Sequence, residues 1–195
     1  IVGACALLAG ITALTWLQAD FLRSLGWHPL TAPTPDWPSG LALGPYGAWM
    51  TALFVFGGCA LIAFATGIRA WLALRQLPFT GAASAAFAVA GCGMAGLAFT
   101  TDPTFFTSVP TWHGRLHDAA FVVMGAGLAA GLIGFAAGTR RSPQLQSVAI
   151  ASLFVAFIAG LGFALKGALF YSTFIAVFGW IIAIGLQILV STRAD

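Results

Sequence analysis

The stretch Val148–Val190, VAIASLFVAFIAGLGFALKGALFYSTFIAVFGWIIAIGLQILV, decides the fold. Its single charge is Lys166. One helical crossing of a bilayer core takes about 20 apolar residues, and this run is about twice that length. It reads as two spans joined by a tight hairpin at Lys166-Gly167.

The rest of the chain follows the same rule. It is 60% hydrophobic and 7% charged, lacks glutamate, and has a mean hydropathy of +0.97. The expected fold is all-α: a single domain over residues 1–195, a bundle of six transmembrane helices. The expected spans cover about 1–22, 45–73, 82–101, 110–138, 145–165 and 169–192. Gly44-Pro45 opens the second span, where proline suits a first helical turn. Residues 1–19 lack a small-residue cleavage pattern and lead directly into Asp20, so a retained helix is expected rather than a signal sequence.

Arg69, Arg75, Arg140, Arg141 and Arg193 fall on one side of a six-span chain, against Arg23, Arg115 and Lys166 on the other. The positive-inside rule makes the first side cytoplasmic, with both termini there, in a multi-pass protein of the cell membrane. The net charge of +3 reflects these loop arginines and does not point to nucleic acid. Cys5, Cys59 and Cys92 lie in apolar segments outside any CxxC, so they are expected to be small buried side chains. The Gly127-x-x-x-Gly131 and Gly134-x-x-x-Gly138 pairs permit close helix approach. Packing within the chain is the expected use, with a homo-oligomer seam as the alternative.

Against this background, Thr111–Phe121 (TWHGRLHDAAF) is out of character. It concentrates His113, Arg115, His117 and Asp118 at the mouth of an apolar run. Asp20, Arg23, His28, Asp36, Asp102 and Lys166 are expected at the same membrane surface. Acids, bases and histidines gathered on short loops point to a connected polar site. The loop HPLTAPTPDWPSG is stiffened by proline, and Trp27 and Trp37 favour an interface, so it is expected to lie over the bundle as a lid.

Read together and in chain order, three motifs resemble a known family. His28-Pro29 followed by Leu41-Ala42-Leu43-Gly44-Pro45-Tyr46-Gly47 resembles a first-loop signature HP…LxLGPxG. Thr101-Asp102-Pro103 resembles a TDP after the third helix, and Gly114-Arg115-Leu116-His117-Asp118 a GxLHD opening the fourth. The family is the one catalogued as domain of unknown function 998, and the likeness covers nearly the whole chain. It implies six membrane helices and draws attention to these residues, but supplies no reaction. The first loop, unusually rich here in proline and tryptophan, departs from the pattern.

The residues themselves allow several chemistries. An aspartate at the edge of hydrocarbon loses solvation and its pKa rises, which suits proton donation to an apolar substrate. Asp102, His117 and Asp118 are the expected catalytic groups. Asp20, Arg23, His28, Arg115, Lys166, Trp37 and Phe121 are the expected substrate contacts. Phe54, Phe56, Phe99, Phe121, Phe163 and Phe170 are candidates to wall an apolar pocket, where aromatic faces stabilise cations. This describes a cyclase or isomerase of a terpenoid or similar lipid, working without a cofactor. Membrane lipid and a lipophilic small molecule are the expected partners.

Alternatively, His113 and His117 share a helical face, the spacing that lets two imidazoles hold zinc, with His28 as a further ligand. That reading gives a metal-dependent hydrolase of ceramidase-like chemistry. A third reading is a structural or partner-binding protein, in which Asp20–Arg23 pair one turn apart and Asp118 favours the helix dipole. Haem is disfavoured because two of the three histidines share one helix. Transport is disfavoured because the span midpoints carry no charge.

Overall fold

The computed structural model describes residues 1–28, 37–103, 109–165 and 168–191. Among them every regular element is helical. The helices are α1 (Val2–Leu17), α2 (Ala19–Ser24), α3 (Gly47–Leu74), α4 (Thr80–Gly96), α5 (Trp112–Thr139), α6 (Gln146–Leu165) and α7 (Ala168–Ser191). Short 3₁₀ turns at Ser39–Leu43 and Pro143–Leu145 precede α3 and α6. Four helices are long and apolar enough to cross a membrane, and α1 and α4 are shorter apolar helices. The chain is a helical membrane protein. The expected hairpin at Lys166-Gly167, together with Asp36 and Arg193, lies outside the described residues.

The long helices follow one another around a ring, and α7 closes it against α1. Glycine permits the closest approaches. A Cβ at Gly127 of α5 would stand 2.7 Å from the Ala90 nitrogen of α4, and one at Gly93 of α4 would stand 2.5 Å from the Met124 nitrogen of α5. Gly131 faces Phe87, Gly134 faces Ala83 and Gly138 faces Pro78. Both GxxxG pairs are therefore spent on contacts within the chain, and the falling residue numbers on α4 show an antiparallel pair.

One end of the ring is filled by aromatic side chains. Trp71 stacks on Phe135 at 6.3 Å, Phe87 on Trp180 at 5.6 Å, and the Trp180 Nε1–H donates to Ser152 Oγ at 2.9 Å. The other end stays open as a chamber.

The structure corrects several sequence expectations. The first span breaks at Gln18, and α2 follows as a separate short helix. The buried Gln18 side chain explains the junction: its Nε2 donates to the Leu41 carbonyl and its Oε1 accepts from the Tyr46 N–H, both at 3.3 Å. These bonds tie the end of α1 to the start of α3. The third span ends at Gly96 rather than 101, and Leu97–Thr100 unwinds from the helix. Cys5, Cys59 and Cys92 are exposed, not buried. Close helix packing is served by glycine and alanine, which leaves these cysteines on the outer faces of α1, α3 and α4.

Candidate functional site

The start of α5 is built by a capping network. Thr111 is its N-cap, and Thr111 Oγ1 accepts from the Gly114 N–H at 3.1 Å. Asp102 reaches across the loop: Oδ1 accepts from the Thr111 hydroxyl at 2.7 Å and Oδ2 from the Thr111 N–H at 2.8 Å. Gly114 is needed because a Cβ there would strike the Asp102 carboxylate. His113 Nδ1 faces the Thr100 carbonyl at 2.9 Å, so this nitrogen carries the proton and donates. Bonds from the Thr111 hydroxyl, then from its N–H, hold the Asp102 carboxyl below the usual carboxylate range; His113 adds a smaller pull and desolvation opposes it. The raised pKa expected of a dehydrated catalytic aspartate is thus not found at Asp102. Its bond donors favour the ionised form more strongly than partial burial disfavours it.

One turn further along, His117 is buried, at 4% exposure. It is the one ionisable side chain buried among the described residues. Its Nδ1 lies 2.7 Å from the Phe99 carbonyl and 3.1 Å from the Leu97 carbonyl. Carbonyls only accept, so Nδ1 is the protonated nitrogen. Nε2 lies 2.9 Å from Ser39 Oγ, and in the neutral ring it accepts the serine proton. Leu97 is the C-cap of α4, where helix geometry leaves the carbonyl without an intrahelical partner, and Phe99 lies in the unwound segment just beyond it. The sequence therefore places His117 so that it completes one helix and holds a hydroxyl from another part of the chain.

Ser39 and His117 face a cavity of ≈ 130 Å³. Trp37, Phe54, Asp118, Phe121 and Phe170 complete much of its wall. Trp37 is fixed by its Nε1–H donating to Thr15 Oγ1 at 3.0 Å, and its ring packs against Tyr171 at 4.5 Å and Phe174 at 5.3 Å. Trp27 donates to the Tyr171 hydroxyl at 2.9 Å. Both tryptophans of the first loop are thus anchored on the bundle. A second cavity of ≈ 50 Å³ adjoins the first; both share Leu7, Met94, Met124, Phe174 and Phe178. Phe163 lines the second.

The expected single polar cluster is divided. Asp118 lines the larger cavity while remaining exposed, and has no ion-pair partner among the described residues. Asp20 and Arg23 form an exposed ion pair with each other, His28 is exposed, and none of the three lines either cavity. Arg115 is exposed and also outside the cavity walls. Lys166 lies outside the described residues. Phe56, on an outward face of α3, and Phe99, in the unwound segment after α4, are exposed and line neither cavity. No group of three or more His, Cys, Asp or Glu side chains that would hold a metal occurs among the described residues. Ser39, Phe174 and Phe178 are site residues that sequence reasoning missed. A single serine in a proline-rich loop carries no periodic or spacing signal.

No curated protein and no solved structure matches the chain. A family model, described as protein of unknown function (DUF998), matches residues 2–191. With the match running through the capping network, His117 and every helix of the ring, the chain belongs to that family.

Proposed function

We propose that the protein is an integral membrane enzyme that acts on a lipophilic substrate, with His117 as its proton-transfer group. In this reading six helices cross the membrane, with α1 and α4 as the two shorter crossings. The ends bearing Arg69, Arg75, Arg140 and Arg141 face the cytoplasm. The chamber opens to the opposite surface.

One observation carries the reading. The single buried ionisable side chain among the described residues lines an aromatic cavity, together with a hydroxyl and a carboxylate. Burial next to an apolar cavity lets an imidazole exchange a proton with a substrate away from competing water. Asp118 supplies negative charge at the same wall. Trp37, Phe54, Phe121 and Phe170 give the substrate an apolar enclosure.

A second reading draws on the two carbonyl bonds of His117: the ring serves only to cap α4. Two variants separate the readings. Met124→Trp fills the chamber, and His117→Gln keeps a polar side chain that can still donate to the Leu97 and Phe99 carbonyls. The enzyme reading expects purified wild-type protein to retain a lipophilic molecule that Met124→Trp loses. It also expects expression of the wild type, but not of His117→Gln, to change the lipid composition of the host membrane. If lipid profiles are identical for wild type, His117→Gln and empty vector, and nothing lipophilic is retained, the enzyme reading is refuted.

A further inference from the structure

We infer that Ser39 is a nucleophile and His117 its general base, and that the chemistry is acyl transfer from a lipid ester whose chain extends into the smaller, adjoining cavity. This rests on the reading of the chamber as a substrate site. It adds the reaction class and the group attacked.

The geometry supplies the parts that an activated serine requires. Ser39 Oγ is 2.9 Å from His117 Nε2, within reach for proton abstraction. The base is oriented through its other nitrogen, as an activated nucleophile needs, with the Leu97 and Phe99 carbonyls taking the place of a carboxylate. The partial negative charge of those two carbonyl oxygens, one at the α4 C-cap and one just beyond it, favours the imidazolium created when His117 takes the proton. Ser39 is only partly buried and lines the larger cavity, so an ester can reach its oxygen.

The cavity pair matches an acyl ester in polarity. The end nearest Ser39, His117, Thr101 and Asp118 is polar, whereas the adjoining cavity is walled by apolar side chains apart from Thr173. Wall residues on α7 run from Phe170 to Ile181, about 16 Å of helix at 1.5 Å per residue. A hydrocarbon chain below a carbonyl held at Ser39 would run along that wall and displace the flexible Met94 and Met124 side chains that stand between the two cavities.

In the reaction, Ser39 Oγ bonds to the ester carbonyl carbon as its proton passes to His117 Nε2. The ester C–O bond then breaks, and Nε2 returns the proton to the departing alcohol. Water, or a second lipid alcohol, attacks the acyl-serine with His117 again as base. This releases the acid or the transferred ester and restores the serine proton.

The test uses alkyl fluorophosphonates on the full-length protein in detergent, because they phosphonylate an activated serine with loss of fluoride. Peptide mass spectrometry of the labelled wild type should place the adduct on Ser39. His117→Gln should slow labelling by about 100-fold or more, the usual span of general-base catalysis. A long-chain probe should react faster than a short-chain one. No adduct on Ser39, equal rates in His117→Gln, or no preference for the long chain would each overturn the inference. Retention of lipophile by Ser39→Ala distinguishes the failures. If Ser39 stays unlabelled while the lipophile is retained, the acyl-transfer step falls and the chamber reading stands. If both are absent, both fall.

Discussion

Gly127→Ala is the sharpest test of the packing that shapes the chamber. An added Cβ would stand 2.7 Å from the Ala90 nitrogen, 2.9 Å from the Ala86 oxygen and 3.0 Å from the Ala90 Cα. Ordinary contact begins near 3.4 Å, so α4 and α5 must part locally by about 0.7 Å. A gap of that order forfeits about a quarter to a half of each dispersion contact along the seam. Overpacking of this kind costs about 1–3 kcal/mol, and alanine returns about 1 kcal/mol of helix propensity. The expected net loss is about 0–2 kcal/mol. Gly160 in α6 and Gly179 in α7 meet nothing within 4 Å, so alanine there should stabilise by about 0.5–1 kcal/mol. Gly93→Ala presses on the same seam from the other helix, and one separation relieves both clashes. The double variant should therefore lose less than the two singles added together. Titration of purified protein with a denaturing detergent, followed by tryptophan fluorescence, reads all five variants against the wild type. The reasoning is refuted if Gly127→Ala and Gly160→Ala shift the midpoint in the same direction.

Other expectations follow from single contacts. Thr111→Ala removes the α5 N-cap and should cost about 1 kcal/mol in the same titration. Because the folded Asp102 carboxyl is held below its ordinary value, its stabilisation is complete above about pH 4 and is lost as pH falls through the folded pKa. Asp102→Asn should flatten that acid limb, as read from melting temperature against pH. Ser152→Ala leaves the buried Trp180 Nε1–H without its acceptor and should cost about 1–3 kcal/mol, with a shifted tryptophan emission. Trp37→Phe keeps much of the ring packing but deletes the bond to Thr15, so lipophile retention should weaken without loss of fold.

Much of the site was legible because its residues contradict their surroundings. His117 and Asp118 stood out as ionisable groups at the head of an apolar helix, and both line the chamber. Phe54, Phe121 and Phe170 were legible as aromatic candidates for its wall and Trp37 as a substrate contact, and all four line it. Charge alone was a poor guide to role. Asp102 carries the same carboxylate as Asp118, yet its oxygens are held by Thr111, and only the fold shows which aspartate has donors beside it. Asp20 and Arg23 find each other one turn apart, outside the cavity.

What the sequence determined by itself is the environment and the punctuation. Long apolar runs need helices in lipid because each backbone polar group must be satisfied within its own segment. That requirement is local, and it fixed the helical class and most helix limits from residues near one another in the chain. Which faces meet is a different matter. Ser39 and His117 are separated by two whole helices, α3 and α4, and their bond exists because the chain leaves α4 where the Leu97 and Phe99 carbonyls can orient the imidazole. The breaks at Gln18 and Gly96, the outward cysteines and the paired cavities share that origin: side chains distant in sequence compete for one interior, and only the assembled ring settles the outcome.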